Sequence, residues 1–247
     1  EAYNNLGAVL KEQNKLNEAI EAYNMAISLQ PDYAEAYNNL GVVLKEMNKL
    51  SEAIEACNMA ISLQPNYAEA HHNLSFLYNL KGDMQKGLKL FEWRLRKKRH
   101  PTRVPRDHLI WDRNKSISGK KFFVYEEQGL GDIIQFARYL PLLNQKGAKV
   151  IFKVKRSMHA LLKTLDKSII LVDSDPDDDN LDFETSLMSL PYLFNTDLNS
   201  IPSVPLSPVF VTTLEEDTVS LVSPQLIVVV SPPEAKNISA SCISSKR

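Results

Sequence analysis

Residues 1–34 and 35–68 are the same 34-residue unit with five changes: Ala8/Val42, Gln13/Met47, Asn17/Ser51, Tyr23/Cys57 and Asp32/Asn66. A gap-free repeat of this length implies a stacked helical solenoid, because one helical pair cannot bury its own apolar face and needs a neighbour. Tyr3, Leu6 and Leu10 fall at i, i+3 and i+7, the stripe of an amphipathic helix, and Ala19, Tyr23 and Ala26 repeat it on a second helix. Gly7 leaves room for close helix approach. Asn14 and Lys15 fill the short turn, and Pro31 ends the second helix.

The pattern resembles the tetratricopeptide repeat and recurs in register at Tyr37, Leu40, Gly41, Leu44, Ala53, Cys57, Ala60 and Pro65. A third copy, 69–100, keeps Leu74 and Phe91 but decays. Ser75 stands in place of the glycine, Gly87 and Arg94 in place of the alanines, and Arg99 in place of the proline. Terminal repeats are atypical because they cap a stack, so 69–100 reads as a degenerate cap. The chain opens inside a repeat, and further repeats are expected before Glu1.

Asn5, Asn39 and Asn73 share one register and would line successive first helices. In repeats resembling those of O-linked N-acetylglucosamine transferase, such a ladder holds the main chain of an extended peptide. An amide suits that task because it both donates and accepts. The resemblance implies a protein or extended peptide segment as partner in the repeat groove.

Charge is unevenly distributed. Residues 1–68 carry nine acids and four lysines, whereas residues 81–121 carry fourteen Lys/Arg and four acids. The basic run Arg94–Arg106, broken by Pro101 and Pro105, reads as a solvated helix end and linker, and no nucleic-acid partner is expected. Cys57 and Cys242 give no disulfide framework, and Cys57 takes a packing position; a reducing, cytoplasmic setting follows. There is no apolar run long enough for a membrane span.

After a linker at 101–119 the hydrophobic period changes. Lys121–Glu126, Lys149–Val154 and Ile169–Val172 read as strands, separated by helices from Ile133 to about Asn144, with Pro141 as a kink, and at Leu161–Leu165. Strand–helix alternation implies a parallel α/β sheet, whose ligands bind at the carboxyl ends of its strands. The loop Gln128-Gly-Leu-Gly-Asp132 is therefore the candidate site of this region. Ile134 stands where a dinucleotide fingerprint needs a small residue, and no phosphate-loop lysine is present, so no cofactor is expected. Asp132 would cap the helix start. Asp175, Asp177 and Asp179 lack the glycine and glutamate of a calcium loop. His71, His72, His108 and His159 lack metal spacing, so no metal is expected. Trp93 and Trp111 read as residues that pack the end of the stack against the sheet domain, not against a base or sugar.

Glu127-Gln-Gly-Leu-Gly-Asp-Ile-Ile-Gln-Phe-Ala-Arg-Tyr-Leu-Pro141, with Glu92-Trp-Arg94 and Trp111 upstream and Leu187-Met-Ser-Leu-Pro191 and Ile201-Pro202 downstream, resembles repeat proteins with a heptosyltransferase-like module of glycosyltransferase family 9. The resemblance implies a GT-B fold, Rossmann-like in each half. It also implies Asp132 as general base on a sugar acceptor, beside Gln128, Gly129 and Gly131. Residues 120–224 would be the acceptor half. Gln225–Val230 would start the donor half, and 225–247 would remain a truncated, disordered tail. The fold class expected is thus an α solenoid followed by a truncated parallel α/β half. The function expected is peptide binding beside an incomplete transferase module that is inactive alone. The alternative is a fragment of a glycosyltransferase acting on a protein or glycan.

Overall fold

The computed structural model describes residues 1–97, 104–127, 129–176 and 181–203. Six helices form three hairpins: α1 (Ala2–Glu12) with α2 (Leu16–Leu29), α3 (Ala34–Glu46) with α4 (Leu50–Leu63), and α5 (Ala68–Leu80) with α6 (Met84–Phe91). The turn inside each hairpin is built the same way. Asn14, Asn48 and Gly82 take positive φ of 59°, 58° and 87°, the left-handed conformation that ends a helix. The next amide reaches back to close the turn: Lys15 to Leu10, Lys49 to Leu44 and Asp83 to Tyr78, each at 2.9 Å.

Small residues set how closely the hairpins pack. A Cβ on Gly41 would lie 2.7 Å from Cys57 Sγ, and one on Gly7 would lie 2.7 Å from the Tyr23 ring. In the third hairpin the glycine changes helix. Ser75 is fully buried on α5, and Gly87 on α6 faces it, with no room for a Cβ beside Asn79. Between hairpins, Ala19, Tyr23 and Val43 form one cluster, and Leu44, Ala53, Ala56, Cys57, Leu74 and Leu77 form the next. Burial pushes the Cys57 thiol up to about 12, so it stays protonated and inert at neutral pH.

The molecule divides into two units, Glu1–Lys115 with Glu184–Ile201, and Ser116–Phe183 with Pro202 onward. In the first unit a 3₁₀ turn at Glu92–Arg96 follows α6. Arg94, in the register of Ala26 and Ala60, is 2% exposed. Its guanidinium donates to Phe91 O (3.2 Å), Glu92 Oε1 (2.8 Å), Ser189 Oγ (2.8 Å) and Ser186 Oγ (3.4 Å), and it stacks on Phe91. Arg106 forms a fork with the buried Glu184 carboxylate, at 3.2 and 3.0 Å, and its backbone N–H also donates to that carboxylate. The Arg94–Arg106 run is therefore not simply a solvated end. Its first and last arginines are ordered by the segment that returns at 184–189, because a buried guanidinium must be paired. Residues 98–103 lie outside the described residues. Trp93 stacks on His71 with ring centroids 3.8 Å apart, and Trp111 packs edge-on to Phe194. Both partners belong to the first unit.

In the second unit β1 (Lys121–Tyr125), β2 (Lys149–Lys153) and β3 (Ile170–Val172) are parallel, with Lys121 opposite Lys149 and Ile151 opposite Ile170. Within this unit the strand order is β3-β2-β1, and a fourth strand, β4 (Phe183–Ser186), begins at the unit's last residue before the chain returns to the first unit. Phe122–Tyr125 are all buried, as a central strand covered on both faces requires. The helical stretch after β1 is broken, with α7 (Leu130–Phe136), a 3₁₀ turn at Ala137–Tyr139, and α8 (Leu140–Gln145). Pro141 lies in the first turn of α8, where its missing N–H has no cost, so the break falls ahead of it. Between β2 and β3 runs α9 (His159–Leu162), and α10 (Leu190–Leu193) lies in the first unit. Asp175 pairs with Lys153 at 2.9 Å, while Asp177 and Asp179 lie outside the described residues. So do Gln225–Val230, the 231–247 tail and Cys242.

Candidate functional site

A groove of about 300 Å³ runs along the first helices of the hairpins and is lined by Lys11, Asn38, Asn39, Val42, Asn73 and Lys97, among others. Its polar residues interlock from one repeat to the next. Asn39 Nδ2 donates to Asn4 Oδ1 at 3.0 Å, and Asn73 Nδ2 donates to Asn38 Oδ1 at 2.8 Å. Asn4 and Asn38 are buried, and Asn4 Nδ2 in turn donates to Glu35 Oε1 at 3.3 Å. The side chain of Asn38 also hydrogen-bonds Tyr67. Burial, then the Glu35 carboxylate, push the Tyr67 hydroxyl up to about 12, so it stays protonated across neutral pH.

Each of Asn39 and Asn73 uses one N–H on its neighbour. Its carbonyl oxygen accepts no hydrogen bond among the described residues, and a second N–H remains. Asn5, in the same register on α1, is exposed. The residues missed from sequence are Asn4 and Asn38. The signal was present: Asn4 lies three positions before the buried Gly7, on the inward face of α1. At the end of the groove Lys97 Nζ lies 2.7 Å from His72 Nδ1, and burial holds its ammonium below the ordinary lysine range.

The second candidate site is the turn after β1. Gly129 is exposed, Gly131 and Asp132 are half-buried in the first turn of α7, and Gln128 lies outside the described residues. Burial raises the Asp132 carboxyl, the Gly129 N–H that it accepts partly offsets this, and the nearby Glu127 adds to the rise. Asp132 thus reaches back to the helix start, half of a capping box. Among the described residues no group of His, Cys, Asp or Glu could hold a metal ion. No described helix is long and apolar enough to cross a membrane.

The hairpin array with its Schellman-type turns and interlocked first helices is of the tetratricopeptide class. Family models described as TPR repeat and tetratricopeptide repeat match residues 7–48 and 34–67. No curated protein matches the chain. Among solved structures, MamA is 34% identical over 37% of this chain and 54% of that one, with a TM-score of 0.36, so the chain spans about half of the MamA chain. The second TPR of Spaghetti (RPAP3) bound to the HSP90 peptide SRMEEVD is 23% identical over 37% and 85%, with a TM-score of 0.37. The TPR2B domain of yeast Sti1 in a pHsp70 complex is 24% identical over 35% and 70%, with a TM-score of 0.34.

Proposed function

We propose that the repeats bind an extended peptide segment whose main chain lies across Asn39 and Asn73. The supporting observation is the interlock of Asn39 on Asn4 and Asn73 on Asn38. It holds each amide in one orientation before a ligand arrives, so less side-chain freedom is lost on binding. A C=O and an N–H remain on each amide, matching the alternating acceptor and donor of a peptide unit. Lys11 and Lys97 line the same groove together with Glu12 and Glu69, and Lys11 pairs with Glu46 at 3.3 Å, so the walls carry both signs and recognition rests on the amides.

The test uses a peptide selected for binding from a random displayed library. Asn39→Ala with Asn73→Ala should weaken that peptide at least tenfold, about one hydrogen bond's worth per site. The same pair should lower unfolding stability by about 2–6 kcal/mol, since the buried Asn4 and Asn38 carbonyls each lose a donor at about 1–3 kcal/mol apiece, so the affinity is read on variants shown to be folded. Unchanged affinity in a folded double variant would remove the reading.

Asp132 favours a second reading, that the second unit is the acceptor half of a heptosyltransferase-like GT-B sugar transferase. A carboxyl raised by burial, at the carboxyl end of a central parallel strand, is suited to take a proton from an attacking hydroxyl. A nucleotide-sugar half is needed in addition to the described residues. With that half supplied, Asp132→Asn should cut sugar transfer about a hundredfold or more. Transfer at the unmodified rate would exclude Asp132 as the base.

A further inference from the structure

A second cleft of the first unit, about 270 Å³, is lined by Lys86 and Lys89 of α6, by Arg113, and by Tyr192, Asn195 and Thr196 at the end of α10. Its three cations come from the basic stretch 81–121, and no carboxylate is among the residues that line it. Like charges brought together in one cleft repel, so the cleft favours an anion that neutralises them.

Local structure prepares these groups. Arg113 lies over the Tyr192 ring, 4.7 Å from its centroid, and donates through Nη1 to Tyr192 O at 3.2 Å. That fixes the guanidinium plane while Nε and Nη2 make no other hydrogen bond among the described residues. Lys89 is exposed and meets no carboxylate among the described residues. Lys86 is shared with Asp83 at 2.9 Å, outside the cleft lining. The turn after α10 closes through Asn195, at a φ of 52°, with Asn195 N–H on Tyr192 O and Thr196 N–H on Pro191 O. It brings an amide and a hydroxyl side chain to the same cleft as the cations. The volume lies at the small end for ligand pockets, which suits a small anion over a long chain.

We propose that this cleft binds a phosphate group, with Arg113 as the planar donor and Lys89 as the mobile charge. A planar guanidinium can present two parallel N–H donors to two phosphate oxygens, which a single ammonium cannot. Free phosphate and a phosphate monoester share this chemistry.

The experiment is a calorimetric titration of the full chain at low ionic strength with inorganic phosphate, glycerol 3-phosphate, a short DNA duplex and, as control, glycerol. Saturable binding of phosphate or its ester, but not of glycerol, is expected, weakened about tenfold by Lys89→Ala and by Arg113→Ala. Arg113→Lys should fail to restore affinity, because the fork is lost with the charge kept. Far-UV circular dichroism should stay unchanged in each variant, as both side chains are exposed. Tighter binding of the ester would mark a phosphorylated small molecule as the source, and equal binding would mark free phosphate. Either upholds the site. No saturable heat, heat that persists in the Lys89→Ala/Arg113→Ala chain, or binding confined to duplex DNA would overturn it.

Discussion

Replacing Arg94 by alanine is expected to lower the unfolding free energy of the first unit by about 3–5 kcal/mol, the range for breaking a buried ionic network from one side. The guanidinium occupies a register where the two earlier repeats carry buried alanines, and it is itself 2% exposed. The acceptors named above span the 3₁₀ turn and the returning segment, and Ser186 and Ser189 are both buried. Truncation leaves a cavity and removes a donor from each hydroxyl. Arg94→Lys should recover little, because one ammonium cannot reach both the Phe91 carbonyl and the Ser189 hydroxyl in the fork's geometry. Tryptophan fluorescence in a urea titration reads this unit alone, since the chain's two tryptophans, Trp93 and Trp111, both lie in it. A loss below about 1 kcal/mol would mean that the arginine is not what joins the two segments.

The second large effect is expected at Gly41→Ala. In an unobstructed helix interior this change should stabilise by about 1 kcal/mol. Here the new methyl would lie 2.7 Å from Cys57 Sγ and 3.2 Å from the Ala53 carbonyl. Overpacking of this kind costs about 1–3 kcal/mol, so the net effect should be a loss. The obstruction is partly one side chain, so Gly41→Ala combined with Cys57→Ala should be more stable than the two separate losses add up to. Strict additivity in that double-mutant cycle would contradict the packing account. The third hairpin already carries a compensated version, with Ser75 at the Gly41 register and Gly87 on the facing helix.

The solenoid was legible because its signal is local and written twice. Helix stripes, the left-handed Asn turn and the packing glycine all lie within one repeat, so periodicity found them. The parallel order of β1, β2 and β3 was legible too, since each is a short apolar run and a helical stretch separates each from the next. The pairing of Arg94 with Ser186 and Ser189, and of Arg106 with Glu184, was not. These partners lie 78 to 95 positions apart, and no spacing rule connects them. A basic run reads as solvated until the carboxylate and hydroxyls that neutralise it are located. In the groove, Asn39 and Asn73 were legible as a register. Asn4 and Asn38 were hidden because an asparagine pair in a helix looks polar as a whole, while only one of its members faces outward.

The central claim is that the groove reads a peptide's main chain through amides held in place by their neighbours. Main-chain recognition is tested most directly by titrating N-methylated versions of one selected peptide, each lacking a single backbone N–H. Binding should fall about tenfold or more at two separate positions, where a backbone N–H donates to Asn39 or Asn73, and should be little changed elsewhere. Affinity that survives every N-methylation, yet is lost when the peptide's side chains are truncated, would contradict the claim.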